Sequence, residues 1–144
     1  MNSDKKIEHI SNWIKEYISS LNFQSPSLII GVSGGIDSAV TSTLCCKTGF
    51  RTIAVSMPIK QNASQHDLSL KHLDWLNANF NNVDTMIIEL DDVFKSFEKT
   101  MTDFNNKLAF ANSRSRLRMV TLYQIAQANN GIVVGTGNKV EDFG

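Results

Sequence analysis

Three short stretches of this sequence hold residue types at spacings that suit chemistry on a charged small molecule. The first is Ser33-Gly34-Gly35-Ile36-Asp37-Ser38. Two adjacent glycines let the backbone take positive φ and approach a ligand closely. If a helix starts just after them, its free amides and its dipole favour an anion such as phosphate. Ser33 and Ser38 add hydroxyl groups. Asp37 is the unusual member, because a carboxylate beside a phosphate is repulsive unless a cation bridges them, and Mg²⁺ is the cation that fits. A tight strand-to-helix turn with Asp37 as a helix cap is the competing reading. The loop has neither the lysine of GxxxxGK[ST] nor the GxGxxG spacing of dinucleotide folds.

The second stretch runs from Asn112 to Met119 and carries Arg114, Arg116 and Arg118. On a helix, Asn112 and Arg116 share one face, and Arg114 and Arg118 share another. Arg116 with Asn112 suits two-point recognition of a carboxylate or phosphate. A solvated basic helix end, or a nucleic-acid patch, is the alternative. The third stretch is Gly135-Thr136-Gly137-Asn138-Lys139-Val140-Glu141. Thr136 follows a short apolar run, where a hydroxyl suits either a nucleotide or a turn. Glu141 is either a solvated loop residue or, with Asp37, a second carboxylate for Mg²⁺. The three histidines, His9, His66 and His72, have no ligand partners at suitable spacing. Cys45 and Cys46 are neighbours with no zinc spacing and read as packing residues.

The elements that must position these residues follow from apolar periodicity. Residues 4–21 form an amphipathic helix through Ile7, Ile10, Ile14, Ile18 and Leu21, ended by Ser25-Pro26. Leu28 to Val32 is a strand buried on both faces, and a helix from Asp37 to Lys47 follows the glycine loop. A second strand spans Thr52 to Met57, a helix residues 65–80, and a third strand Val83 to Ile88. Helices are expected over 91–104 and 112–128, then a fourth strand over Ile132–Val134. Trp13 and Trp75 read as core residues on their helices, as do Met119, Val120, Leu122 and Ile125 on theirs. Strands alternating with helices predict an α/β, doubly wound parallel sheet covered on both faces. Ligands of such sheets bind beyond the carboxyl ends of the strands, where the glycine loop, Met57-Pro58 and the Gly135 segment fall.

Composition narrows the class. With 144 residues, 42% hydrophobic and 19% charged, the chain is one globular domain and not a disordered one. Fourteen basic residues balance fourteen acidic ones, which argues against a nucleic-acid partner. No apolar run approaches the roughly 18 residues of a membrane span, and MNSDKKIEHI has no apolar core of a secretory signal. A cytoplasmic protein with reduced thiols is expected. The sequence ends in a polar glycine-containing loop after the fourth strand, so residues 1–144 are expected to form a single domain, incomplete at its C-terminus.

Gly31-Val32-Ser33-Gly34-Gly35-Ile36-Asp37-Ser38 resembles the SGGxDS loop of the ATP pyrophosphatases. Asn112-Ser113-Arg114-Ser115-Arg116-Leu117-Arg118-Met119 resembles the NxxxRxRM helix of the NAD synthetase family within that superfamily, and Gly135–Glu141 resembles its GTxNxxE segment. Val55-Ser56-Met57-Pro58 fits its second strand. The resemblance implies an adenine nucleotide hydrolase-like fold and ATP-dependent amidation of deamido-NAD to NAD⁺ with ammonia, through an adenylate that releases pyrophosphate and then AMP. It implies no enzyme nucleophile. It places ATP on Gly31, Val32, Ser33, Gly34, Gly35, Ile36, Asp37, Ser38, Met57 and Thr136. It places deamido-NAD on Arg116, Asn112 and Tyr17, and Mg²⁺ on Asp37 and Glu141. Tyr17 also fits the apolar face of the first helix, and core packing is the expected role. The family implies a homodimer with deamido-NAD at the subunit boundary, and further chain beyond Glu141, so this chain alone is expected to be weak or inactive. A non-catalytic ATP-binding fragment and another ATP pyrophosphatase, such as GMP synthetase, are the alternatives.

Overall fold

A computed structural model of the chain describes residues 3–21, 26–59 and 63–135. Four strands form one parallel sheet in the order β3-β2-β1-β4: β1 Ser27–Gly31, β2 Arg51–Ser56, β3 Val83–Ile87 and β4 Gly131–Val133. The two central strands are the continuous apolar runs. Leu28, Ile29 and Ile30 of β1 and Ala54 and Val55 of β2 are 0% exposed, because side chains alternate across a sheet covered on both sides. The edge strands β3 and β4 are only partly buried.

Among the described residues, five α-helices supply the two covering layers. On one face lie α1 (Ser3–Ser20), α2 (Ile36–Lys47) and α3 (Ala63–Asn79). Ile18, Cys45, Cys46, Leu73 and Leu76 pack there against Leu28, Ile30 and Ala54. On the other face lie α4 (Asp91–Thr100) and α5 (Lys107–Ala128), whose Phe94, Leu122 and Ala126 pack against Ile29, Ile53 and Val55. Phe94 meets Phe97 and Phe110 in a three-ring cluster, with the Phe94–Phe110 pair edge to face at 6.0 Å. The chain thus lays β1, β2 and β3 outward in turn, then crosses beneath the sheet through α4 and α5 to put β4 beside β1. The strand order reverses between β1 and β4, and that reversal is where an open α/β sheet leaves a crevice.

The structure corrects several sequence expectations. α5 begins five residues before Asn112, because Asn106 caps it by accepting the Ala109 amide on its Oδ1 at 2.9 Å. The helix expected to reach residue 104 breaks at Met101, and a 3₁₀ turn covers Thr102–Phe104. Trp13 (60% exposed) and Trp75 (46%) are not core residues. The periodicity of α1 carries two apolar stripes: Ile14 and Ile18 face the sheet, while Ile10, Trp13, Tyr17 and Leu21 face outward. Tyr17 is accordingly exposed, stacked on Trp13 at 5.6 Å, which overturns core packing as its role. Met119 and Val120 also face outward, whereas Leu122 is buried as expected and Ile125 is partly buried against it.

Candidate functional site

The glycine loop is where β1 hands over to α2. The ladder extends one residue past β1, since the Val32 amide donates to the Val55 carbonyl at 2.8 Å. Gly34 then turns the chain with φ of 94°. That conformation favours glycine, and space demands it too, because a Cβ on Gly34 would lie 2.5 Å from the Gln65 carbonyl oxygen in the first turn of α3. Two hydroxyls knit the turn. Ser38 Oγ accepts the Ser33 amide at 3.1 Å, donates to the Gly35 carbonyl at 3.2 Å, and meets Ser33 Oγ at 3.2 Å. The Gly35 amide donates to Ser33 Oγ at 3.2 Å. Ser38 is buried, so its hydroxyl serves the loop from inside.

Gly35 is the N-cap of α2 and has no side chain to cap with. The positive end of the helix is therefore open to an outside anion. Asp37 and Ile36 lie exposed in the first turn. The N-cap is Gly35 and Asp37 is the second residue of the helix, so the cap reading of this carboxylate does not hold. An exposed carboxylate beside an anion-binding helix end is the oxygen donor that a hard cation shared with a phosphate needs. Among the described residues no group of three or more His, Cys, Asp or Glu side chains gathers to hold a metal.

The end of β2 forms the neighbouring wall. Met57 is 7% exposed, with its Cε 3.2 Å from where a Gly31 side chain would begin, so the absence of a side chain at Gly31 leaves Met57 its place. The β4 exit lies on the opposite side of β1. Ile29 pairs with Val133, and the Val134 amide donates to the Ile29 carbonyl at 2.9 Å, which brings Gly135 alongside the start of the glycine loop. Thr136 and Glu141 lie outside the described residues.

Asn112 and Arg116 share a face of α5 as their spacing requires, and Arg116 Nη1 donates back to the Asn112 carbonyl at 3.3 Å. Arg116 is exposed. Tyr17 does not share this layer: α1 and α5 cover opposite faces of the sheet. Three further residues are legible only in three dimensions. Arg118 Nε donates to the Met57 carbonyl at 3.0 Å, and Arg114 sits over the Phe94 ring at 5.5 Å. His72 Nε2 lies 2.8 Å from Ser42 Oγ, which in turn donates to the Ser38 carbonyl at 2.7 Å, and the imidazole stacks on Trp75. Burial pushes the His72 pKa down. The RxRM spacing marked Arg118 as helical but not its reach across to β2. Nothing in the sequence signals the His72–Ser42 pair, which is 30 residues apart.

Cys45 and Cys46 sit in the core behind the loop. Burial raises the Cys45 thiol to about 12, with Cys46 adding to it. Burial raises Cys46 to about 11, and a hydrogen bond with Thr52 works against that rise. Such thiols stay protonated and serve as packing.

Comparison with known proteins agrees with this geometry. The family model described as NAD synthase matches residues 6–143. An NH(3)-dependent NAD(+) synthetase of Finegoldia magna is 36% identical over 144 residues, covering 99% of this chain and 56% of the relative. The structure of an NMN synthetase from Francisella tularensis superposes with a TM-score of 0.85 at 30% identity, over 98% of this chain and 57% of that one. An NH3-dependent NAD synthetase from Campylobacter jejuni, solved with a nitrate ion, gives 0.83 at 31%, over 98% and 59%. The chain spans a little over half the length of these relatives. Among the described residues no helix is long and apolar enough to cross a membrane. A glycine loop at the strand-order reversal, an arginine-bearing helix beneath the sheet and a family match that takes in both place this chain in the NAD synthase family.

Proposed function

We propose that this chain carries the ATP-handling half of an ammonia-dependent NAD synthetase. The observation that carries the reading is the uncapped start of α2 beside Gly34, at the β1/β4 reversal, in a chain matched to the NAD synthase family over residues 6–143. The loop from Gly31 to Ser38 holds the pyrophosphate of ATP through its backbone, with Met57 and Thr136 against the nucleoside. Deamido-NAD lies along Asn112 and Arg116. Its nicotinate carboxylate attacks the α-phosphorus of ATP, the bond to the β-phosphate oxygen breaks, and pyrophosphate leaves. Ammonia then attacks the acyl carbon of the adenylate, loses a proton and expels AMP, leaving the amide. Both substrates are anionic, so the residues act by positioning and by offsetting charge. Asp37, with Glu141, would hold Mg²⁺, which supplies charge neutralisation at the pyrophosphate.

The homodimer belongs to this proposal. Tyr17 and Arg116 cover opposite faces of one chain's sheet, and the outward face of α5 is apolar around Arg116 through Leu108, Val120 and Tyr123. A second copy seated on α5 would cover that face and bring its own residues to the dinucleotide. A cytoplasmic setting and the absence of nucleic-acid partners complete the reading. A second reading is an ATP-binding unit without turnover.

Isotopic pyrophosphate–ATP exchange with Mg²⁺ tests both. Exchange that depends on deamido-NAD supports the synthetase. Exchange with nicotinate mononucleotide instead would move the substrate to the mononucleotide, and exchange with XMP would move it to GMP synthetase chemistry. ATP binding with no exchange on any acceptor leaves the binding unit.

A further inference from the structure

We infer that Arg118 is a positioning residue: it fixes the Met57–Pro58 corner of the nucleotide site from the helix that also carries Arg116. The inference rests on the ATP reading of Met57. The peptide between Met57 and Pro58 has no N–H, so its one polar group is the Met57 carbonyl. Arg118 Nε donates to that carbonyl at 3.0 Å, from a position 61 residues away in sequence. The next carbonyl, of Pro58, accepts the Leu90 amide at 3.2 Å, which fixes the corner to the start of α4. The Met57 side chain closes the arrangement from below, beneath Gly31 at the foot of the glycine loop. One guanidinium thus ties α5 to the carboxyl end of β2, and β2 neighbours β1.

The environment of Arg118 is that of a group held for a purpose. It is half-buried, and burial is the largest influence pushing its pKa down, with Arg114 adding to it and Asp91 opposing. A guanidinium stays charged all the same, so it is kept in an unfavourable place as a cation. A charged donor to a carbonyl is stronger and more directional than a neutral one. Methionine or leucine would fill the same space between α5 and β2 without that cost. Orientation of the Met57 carbonyl is what the charge adds. Arg116, two residues earlier, faces outward on the same helix. A shift of α5 therefore moves the dinucleotide contact and the ATP corner together.

The test is calorimetric titration of wild type, R118K and R118M with Mg-ATP and, separately, with Mg-pyrophosphate, with thermal unfolding measured alongside. Pyrophosphate engages the glycine loop alone, whereas ATP needs the corner as well. R118M is expected to bind ATP about tenfold more weakly, the size of one lost charge-assisted hydrogen bond, and pyrophosphate within about twofold of wild type. R118K is expected to recover part of the ATP loss, and its Met57 carbonyl ¹³C resonance to move, because an ammonium reaches the carbonyl at a different angle. If R118M does not fold, R118K against wild type carries the same ATP-to-pyrophosphate comparison. Equal losses for the two ligands, or none for ATP, would overturn the inference and leave the ATP reading standing. Wild type that binds pyrophosphate but not ATP, or neither, would overturn the ATP reading and the inference with it.

Discussion

Replacing Gly34 by alanine probes the loop where backbone and packing constraints coincide, and Gly49 supplies an internal control. Both glycines have positive φ, 94° and 85°. Nothing lies within 4 Å of a Cβ built on Gly49, whereas one on Gly34 would meet the Gln65 carbonyl oxygen at 2.5 Å and Leu68 Cβ at 3.3 Å. The left-handed backbone costs an alanine about 1–2 kcal/mol at either site. Stiffening the unfolded chain returns about 0.4–1 kcal/mol at either site. These two contributions cancel in a difference. What remains is the contact between the loop and α3, which involves backbone on one side and cannot be relieved by a rotamer change. Overpacking of that kind costs about 1–3 kcal/mol. Urea unfolding followed by circular dichroism should therefore place the G34A midpoint about 1 M below that of G49A, taking an m-value of about 2 kcal/mol/M. Coincident midpoints would refute the claim that α3 bears on the glycine loop. Pyrophosphate affinity should fall in G34A and hold in G49A, since Gly49 lies at the far end of α2.

Two further outcomes follow from buried titratable groups. The Cys45 and Cys46 thiols, near 12 and 11 in the folded state against 9.0 when exposed, should resist alkylation at pH 8 until the protein unfolds. Above pH 9 the unfolded chain loses these protons before the folded one, so their contribution is intact below pH 9 and is lost as pH rises towards 12, and a C45A/C46A variant should show a flatter stability profile over that window. A profile of equal slope would count against the burial of these thiols. His72 behaves in the opposite sense. Its folded pKa lies below 6.5, so its stabilising contribution is present above pH 6.5 and is lost on acidification. Its imidazole resonances should titrate below pH 6.5, and a midpoint at or above 6.5 would contradict the burial of the ring.

The order of elements and the location of the glycine loop were legible because each rests on local information. A run such as Leu28–Ile30 has no polar face, so it has to be a strand covered twice, and Gly34-Gly35 at its end has to turn. Helix faces were less legible. Apolar spacing in α1 announces a helix but not that it carries two apolar stripes, and only the sheet decides that Ile14 and Ile18 turn inward while Trp13 and Tyr17 turn out. The start of α5 was missed for a related reason: Asn106 reads as loop until its side chain is seen on the Ala109 amide.

Reach across the sheet was not legible at all, and the arginines of α5 show why. Spacing put Arg116 with Asn112 and separated both from Arg114 and Arg118, and the structure keeps that division. What each face meets depends on which strand end lies above it, and that is fixed by the crossover from β3 back to β4. Arg114 then falls on the Phe94 ring and Arg118 on the Met57 carbonyl, while Arg116 is left exposed. Three residues of one type within five positions therefore sit differently: one packs on the Phe94 ring, one holds the carbonyl that follows β2, and one stays exposed. The exposed member is the one whose replacement should affect dinucleotide recognition without disturbing the ATP corner, because its guanidinium donates back to its own helix at the Asn112 carbonyl. R116A should accordingly keep wild-type affinity for ATP and lose affinity for deamido-NAD, and a matching loss for both ligands would mean that the division of labour along α5 is wrong.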